Sequence, residues 1–455
     1  MAALAAGTVA GLQAAEPDAD AIQAVVDLLG DSDQDMRAMG LQQVREEMKG
    51  EAATKRFAAT LPKLPAEVQA DLLGALADRG DKAARAAAVE ALASPAAQVR
   101  LAAIRALGPL GDPADVAGMA QRLTAGPADE RTAARKTLVR MCGDGFTPAI
   151  VAELKKATPE PRTALIAVLT ERRAADSAAA ILAFVADADA GTRKAAMAAL
   201  GALARPEHVA AMLAGVLKAE PGPEREAAER AVVSVCNRIK APEKRAELIL
   251  TPWESHNAAD QIALLPLLGR VGGARTLKIV EAAITDSDPL RRAAGLQALC
   301  NWPDASAAEK LLDLARNAKD SSQRHKALLA YARIAVSPDV QTPAARLAML
   351  ETAMSLASTA EERCYILKRG TAKTLRTVET LRFALPYVDR PECAEEACAT
   401  IVELAHHRAL RESSKVEFEK ALDKVLAISK NADLRDRADR YKHGQTRLPG
   451  KKSPM

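Results

Sequence analysis

Apolar positions recur along this chain in a fixed frame. With Arg100 in AAQVRLAAIRALGPLGDPADV as reference, the frame returns at Arg37, Gln69, Arg131, Arg162, Arg193, Arg225, Gln261, Arg292 and Arg324. Successive intervals are 31 or 32 residues, except for 36 between Arg225 and Gln261. Seven positions after each reference residue lie Val44, Leu76, Leu107, Leu138, Leu169, Leu200, Val232, Leu268, Leu299 and Tyr331, all apolar. Four positions after lie Leu41, Leu73, Ile104, Ile166, Met197, Leu265, Leu296 and Leu328, with Arg135 and Glu229 as exceptions. Apolar residues three and four apart define one buried helix face. Eight positions after, the residue is small at Ala77, Gly108, Gly201, Gly269, Cys300 and Ala332, which predicts close approach of a neighbouring helix.

A turn follows each such helix, as at Gly111-Asp112-Pro113, and then a second helix, for example Ala114 to Leu123. One hairpin of this kind cannot bury both of its apolar faces and must stack on neighbours. After Val336 the spacing loosens, and helices are expected near 343–357, 359–370, 374–387, 391–409, 413–429 and 431–442. The expected fold is all-α, a right-handed α-solenoid of about 12–13 antiparallel helix pairs. Its regular array runs over 16–340, looser hairpins continue over 341–430, and a capping helix with a basic disordered tail takes 431–455.

Composition supports thin layers over a bulky core. Apolar residues make up 49% of the 455 residues but aromatics only 2%, so Ala and Leu must do the packing. The net charge of +4 is uneven: Lys430 to Met455 carries eight Lys/Arg against three Asp/Glu, which leaves the rest about neutral. A neutral body lacks the basic stripe of a nucleic-acid reader. No apolar run approaches the ~20 residues of a membrane span. The uncharged stretch 1–15, MAALAAGTVAGLQAA, reads as a signal-peptide remnant with a cut after Ala15, which predicts a periplasmic or secreted protein; a frayed Ala-rich end of a cytoplasmic protein is the alternative.

The frame Val99-Arg100, Ala103, Ile104, Ala106-Leu107-Gly108, Leu110-Gly111-Asp112 resembles a HEAT repeat of the short type, similar to the subclass of the phycobilisome lyases, over about residues 20 to 340. A narrower resemblance covers about 290 to 430. Ala298-Leu299-Cys300-Asn301-Trp302-Pro303-Asp304, His325 to Tyr331 and Ala384 to Asp389 are similar to exported HEAT-repeat proteins of planctomycete-type bacteria. The resemblance implies an armadillo-like helical array and carries no activity with it. It also implies a ladder in which the reference Arg, present in eight of ten units, pairs with an acid of the next unit. The acids near the references are Asp33, Asp35, Glu67, Asp129, Glu160, Asp189, Asp288 and Asp320. A basic track for phosphates is the functional alternative.

No residue is assigned a catalytic, cofactor-binding or metal-ligating role. The histidines at 208, 256, 325, 406, 407 and 443 show no ligand spacing, the six cysteines form no C-x-x-C, and there is neither a nucleophile elbow nor a phosphate loop. Cys364 could reach Cys393 or Cys398 from a neighbouring helix in an oxidising compartment. Cys142 and Cys236, eleven places after their references, are expected as small apolar fillers. Trp253, in the 36-residue interval, folds back or serves as an exposed contact anchor, and Trp302 plugs a turn. Paired acids such as Glu361-Glu362 and Glu395-Glu396 suit helix starts. The expected function is a non-catalytic, monomeric scaffold that binds a protein or peptide partner. Nucleic-acid binding is the alternative, and a lyase-type array presenting a chromophore ranks below it.

Overall fold

Alanine and leucine at helical spacing produce helices of at most fourteen residues, each ended by a turn that the sequence supplies locally. In the computed structural model, which describes residues 18–446, the reference residues lie near the starts of the helices Gln34–Glu46, Ala66–Arg79, Ala97–Leu110, Ala128–Arg140, Pro159–Glu171, Ala190–Leu203, Pro223–Cys236, Ala258–Val271, Pro289–Cys300 and Ser321–Ile334. We call these the first helices. The starts are set by side chains four places before the reference. Asp33, Asp189, Asn257, Asp288 and Asp320 are N-caps whose side chains accept backbone N–H bonds from Asp35, Thr192, Asp260, Leu290 and Gln323. Elsewhere proline does this work, as at Pro65 and Pro127.

Second helices return between them, among them Glu51–Thr60, Val116–Ala125, Phe146–Lys156, Val209–Lys218, Pro242–Leu250, Ala274–Ile284 and Ala308–Asn317. Several open with a turn of 3-10 helix, as at Pro113–Asp115, where Asp112 and Asp115 form a reciprocal capping box. The expected start at Ala114 is therefore 3-10 rather than α. After Val336 the expected helices appear as Pro343–Leu356, Ala360–Arg369, Val378–Ala384 flanked by 3-10 turns, Ala394–Ala405, Lys415–Ile428 and Ala432–Lys442. The helix expected over 391–409 is divided. It ends at Ala405, and a short helix Arg408–Ser413 follows. Among the described residues every regular element is helical, and no helix is long and apolar enough to cross a membrane. The signal-like stretch 1–15 and the tail from 447 lie outside the described residues.

The described residues fold as two units that part between Val235 and Cys236, inside the one long interval of the repeat. Within each unit, successive first helices stack side by side, and second helices pack against them. Leu73, Leu76, Ile104, Leu107, Leu138 and Leu169 in the first unit, and Leu265, Leu268 and Leu299 in the second, are withdrawn from solvent. A buried leucine contributes ~1.5–3 kcal/mol. The two exceptions four places after the reference differ. Arg135 is exposed and pairs with Glu171, whereas Glu229 is buried.

Small residues eight places after the reference let these layers close up, but only at some steps. A Cβ on Gly269 would lie 2.1 Å from the Ala298 carbonyl oxygen, and one on Gly201 would lie 3.3 Å from the Ala231 Cα. At Gly108 nothing stands within 4 Å, so there the glycine opens space. Gly269→Ala should therefore lower stability by ~1–3 kcal/mol through overpacking. Gly74→Ala, in a helix with nothing within 4 Å, should raise it by ~0.5–1 kcal/mol. Urea unfolding midpoints of the two variants should move in opposite directions, and a shared direction would refute the close-approach reading.

Candidate functional site

The reference arginines were the first candidates for a binding track, and their geometry shows what they do. Arg100 donates from Nη1 to the carbonyls of Ser94 and Pro95, both at 2.9 Å. Arg37 reaches Asp31 and Ser32 in the same way, Arg193 reaches Asp187 and Ala188, and Arg292 reaches Asp286 and Ser287. Arg131, Arg162 and Arg225 bind one such carbonyl each, of Gly126, Ala157 and Ala219. Gln69 and Gln261 imitate them by donating Nε2 to Leu64 and to His256. Among the described residues Arg324 is the one reference that shows no such bond. The acceptors sit in the turn after the preceding second helix, where carbonyls lack helical partners and the helix dipole is negative.

The expected ladder of acids is thus largely replaced by a ladder of carbonyls. Reference arginines meet an acid of the next unit at three steps: Arg100 to Glu130 at 2.8 Å, Arg162 to Asp187 at 2.8 Å and Arg193 to Glu224 at 2.9 Å. None of the eight acids singled out in the sequence is among these partners, because Asp33, Asp189, Asp288 and Asp320 are engaged as N-caps. Seven of the eight reference arginines are engaged by backbone carbonyls, so they do not form the free basic track that was the functional alternative. The device also appears away from the reference positions, at Arg245 on a second helix and, where the spacing has loosened, at Arg346, Arg363 and Arg411.

A second set of cations joins consecutive first helices. Arg79 bonds the carbonyls of Val44 and Met48, Arg172 those of Leu138 and Met141, and Arg333 those of Cys300 and Trp302. Each carbonyl belongs to the C-terminal end of the preceding first helix, where a cation is favoured. Burial pushes all three guanidinium pKa values below the ordinary one.

The remaining candidates are mostly structural. Trp253 and Trp302 are both buried, which removes Trp253 as an exposed anchor, and Trp302 Nε1 donates to Ser306 Oγ at 2.8 Å across its turn. The six cysteines are free thiols. Cys364 Sγ points to the Glu392 carbonyl and Cys393 Sγ to that of Tyr387, so neither is bridged. Cys236 is buried as expected, but Cys142 is exposed, because the helix ends at Arg140 and Met141 takes the inward place. His325 Nδ1 lies 2.9 Å from Glu362, whose carboxyl also accepts the N–H groups of Ser358 and Thr359. Burial works against that charge, but these bonds outweigh it and hold the carboxyl below its usual range. Glu395 accepts from Ser429 Oγ and the Lys430 N–H, so the paired acids do serve helix ends.

What the first helices leave open is a groove of about 850 Å3 in the first unit, between Ala97–Leu110 and Ala128–Arg140. Gly108, Pro109 and Ala133 give it an apolar floor, and Arg105, Lys136 and Arg140 line it as exposed cations. Lys82, at its edge, is held by the carbonyls of Pro109 and Gly111. Cys142, the exposed thiol, also lines it. Two other cavities, of about 400 Å3 beside Gln69 and about 50 Å3 beside Lys194, are smaller. Among the described residues no cluster of three or more His, Cys, Asp or Glu could hold a metal ion.

Two outcomes follow from this geometry. Arg193→Met strips two carbonyls and the half-enclosed Glu224 of their donor, and should cost ~2–4 kcal/mol in urea unfolding. Arg193→Gln should recover roughly half of that, since Gln69 and Gln261 already reach the same carbonyls; equal losses would sink the carbonyl ladder. Burial pushes the thiols of Cys236, Cys300 and Cys398 up to about 11. Titration of the native chain with a disulfide reagent at mildly alkaline pH should therefore find one fast thiol, Cys142. Rapid labelling of Cys236, Cys300 or Cys398 would contradict the burial.

Residues 54–139 match the family model of HEAT repeats. No curated protein sequence matches the chain. Among solved structures, that of the karyopherin Kap121p bound to the SUMO protease Ulp1p is 11% identical with a TM-score of 0.52, over 93% of this chain and 53% of that one. The Kap95p structure with RanGDP is 13% identical with a TM-score of 0.47, over 93% of this chain and 66% of the other. This chain spans about half the length of the karyopherin Kap121p. At such identity the likeness shows the fold alone. With residues 54–139 matching HEAT repeats, the chain has the α-solenoid fold of stacked helical hairpins.

Proposed function

We propose that this chain is a non-catalytic scaffold that binds a protein or peptide partner on the exposed faces of its stacked first helices. The observation that carries the reading is the open groove of about 850 Å3, set on that row of helices and floored by apolar atoms. Its size falls within the range of built ligand sites. A solenoid offers such faces over many units at once, which suits an extended partner. The karyopherin Kap121p, which shares the fold, is seen bound to a protein, the SUMO protease Ulp1p. Against nucleic acid stands the inward turn of the reference arginines, which deprives the array of a continuous basic stripe. A monomer exported from the cytoplasm completes the proposal, in keeping with the signal-like residues 1–15.

Photo-crosslinking in the source cells tests it. A photoreactive residue placed singly at the exposed positions Met39, Asp71 and Lys194 on first helices should yield protein adducts of recurring mass. The same residue at exposed Lys244, on a second helix, should yield few. Adducts to nucleic acid, or none at any first-helix position, would overturn the scaffold reading.

A further inference from the structure

We infer that the groove between the helices Ala97–Leu110 and Ala128–Arg140 is the docking site for an acidic, extended segment of the partner protein. This inference rests on the scaffold reading and adds the chemistry of the partner.

Charge decides it. Arg105, Lys136 and Arg140 are exposed, line one groove, and have neither an ion pair nor a side-chain hydrogen bond among the described residues. The acids nearest in the frame are already engaged: Asp78 by Arg45, Glu130 by Arg100, Asp115 by Arg85 and Glu171 by Arg135. Asp129 is the one acid lining the groove. Comparison along the frame shows how local this is. Five places after the reference stand Gln42, Gly74, Arg105, Lys136, Ala167, Ala198, Arg230, Pro266, Gln297 and Leu329, so basic residues follow one another only at Arg105 and Lys136. Arg230, the third, is paired with Glu226. An excess of unpaired cations around an apolar floor attracts carboxylates, and the two guanidinium forks can bind them bidentately.

The floor also selects the class of anion. No aromatic ring lines the groove, so bases would find no stacking platform. Asp129 can accept an N–H from a peptide backbone, a donor that a sugar–phosphate backbone lacks. Thr132 and Thr137 lie on the same wall, and both hydroxyls already donate, to the carbonyls of Ala128 and Ile104; exposed Thr132 still offers its oxygen as an acceptor for a peptide N–H.

The test uses the full chain and a fluorescein-labelled peptide of alternating Glu and Ala, about ten residues long and thus ~33 Å when extended. Fluorescence anisotropy should show saturable binding that weakens as salt rises, because these charges are exposed to screening. The double variant R105E/K136E should bind at least about tenfold more weakly. Lys136→Arg should bind as the parent does, and so should Lys194→Glu, which changes an exposed cation outside the groove. Thermal melts should be unchanged, since the substituted side chains are exposed. The inference falls if the peptide does not bind, if the double variant binds equally well, or if a single-stranded DNA displaces the peptide at lower concentration. Should the peptide fail while protein adducts still form at Met39, Asp71 and Lys194, only the groove assignment is lost. Should the adducts be absent as well, the scaffold reading is lost with it.

Discussion

A carbonyl left over at the end of a helix has to find a donor, and this fold meets that constraint with a guanidinium from the next helix. The turn from a second helix to the following first helix holds two or three such oxygens. The reference arginine, five or six residues further on, bends back to them. A cation near a helix start is unfavourable if that helix is considered alone. Here the negative end of the preceding helix lies beside it, and the combined site favours the charge. Bonds to a charged donor are worth ~1.5–3 kcal/mol each. Their larger effect is geometric, since they fix the entry angle of seven of the ten first helices, with Gln69 and Gln261 doing the same at two more, and so bring the leucine faces into register.

Everything thinner follows from that register. Layers of Ala and Leu hold little bulk, so they stabilise only when neighbouring helices approach closely and repeatedly. Gly269 against Ala298 is the tightest of these approaches. Arg79, Arg172 and Arg333 tie consecutive first helices at their C-terminal ends, opposite to the starts that the reference residues hold. Both ends of the row are thereby held by backbone-directed cations, and many of the basic residues serve the fold itself.

That engagement gives meaning to the cations left out of it. In a body of nearly neutral charge, several acids and bases neutralise one another between adjacent units, as Arg45 does with Asp78 and Arg135 with Glu171. Around the groove this compensation stops. Arg105, Lys136 and Arg140 are surplus to the packing, to the caps and to the pairs, while Gly108 and Pro109 keep the space between them unfilled. A surface that keeps both room and charge suits recognition better than stability.

The sequence by itself determined the helices, their pairing into hairpins and most of the core. The 31-residue frame is written in side chains, and the hydrophobic face of each helix is a local property: Val44, Leu107, Leu200 and Leu299 are all buried as their positions required. It did not determine what the arginines bind. Backbone carbonyls occur at every residue and leave no mark in the sequence, so the nearby acids drew attention instead. Nor could it show that Met141 rather than Cys142 turns inward, since that depends on a helix ending one residue sooner. The tertiary structure alone decided the groove. Arg105 and Lys136 stand 31 residues apart, and whether they remain unpaired depends on which acids the stacking of other units has already taken.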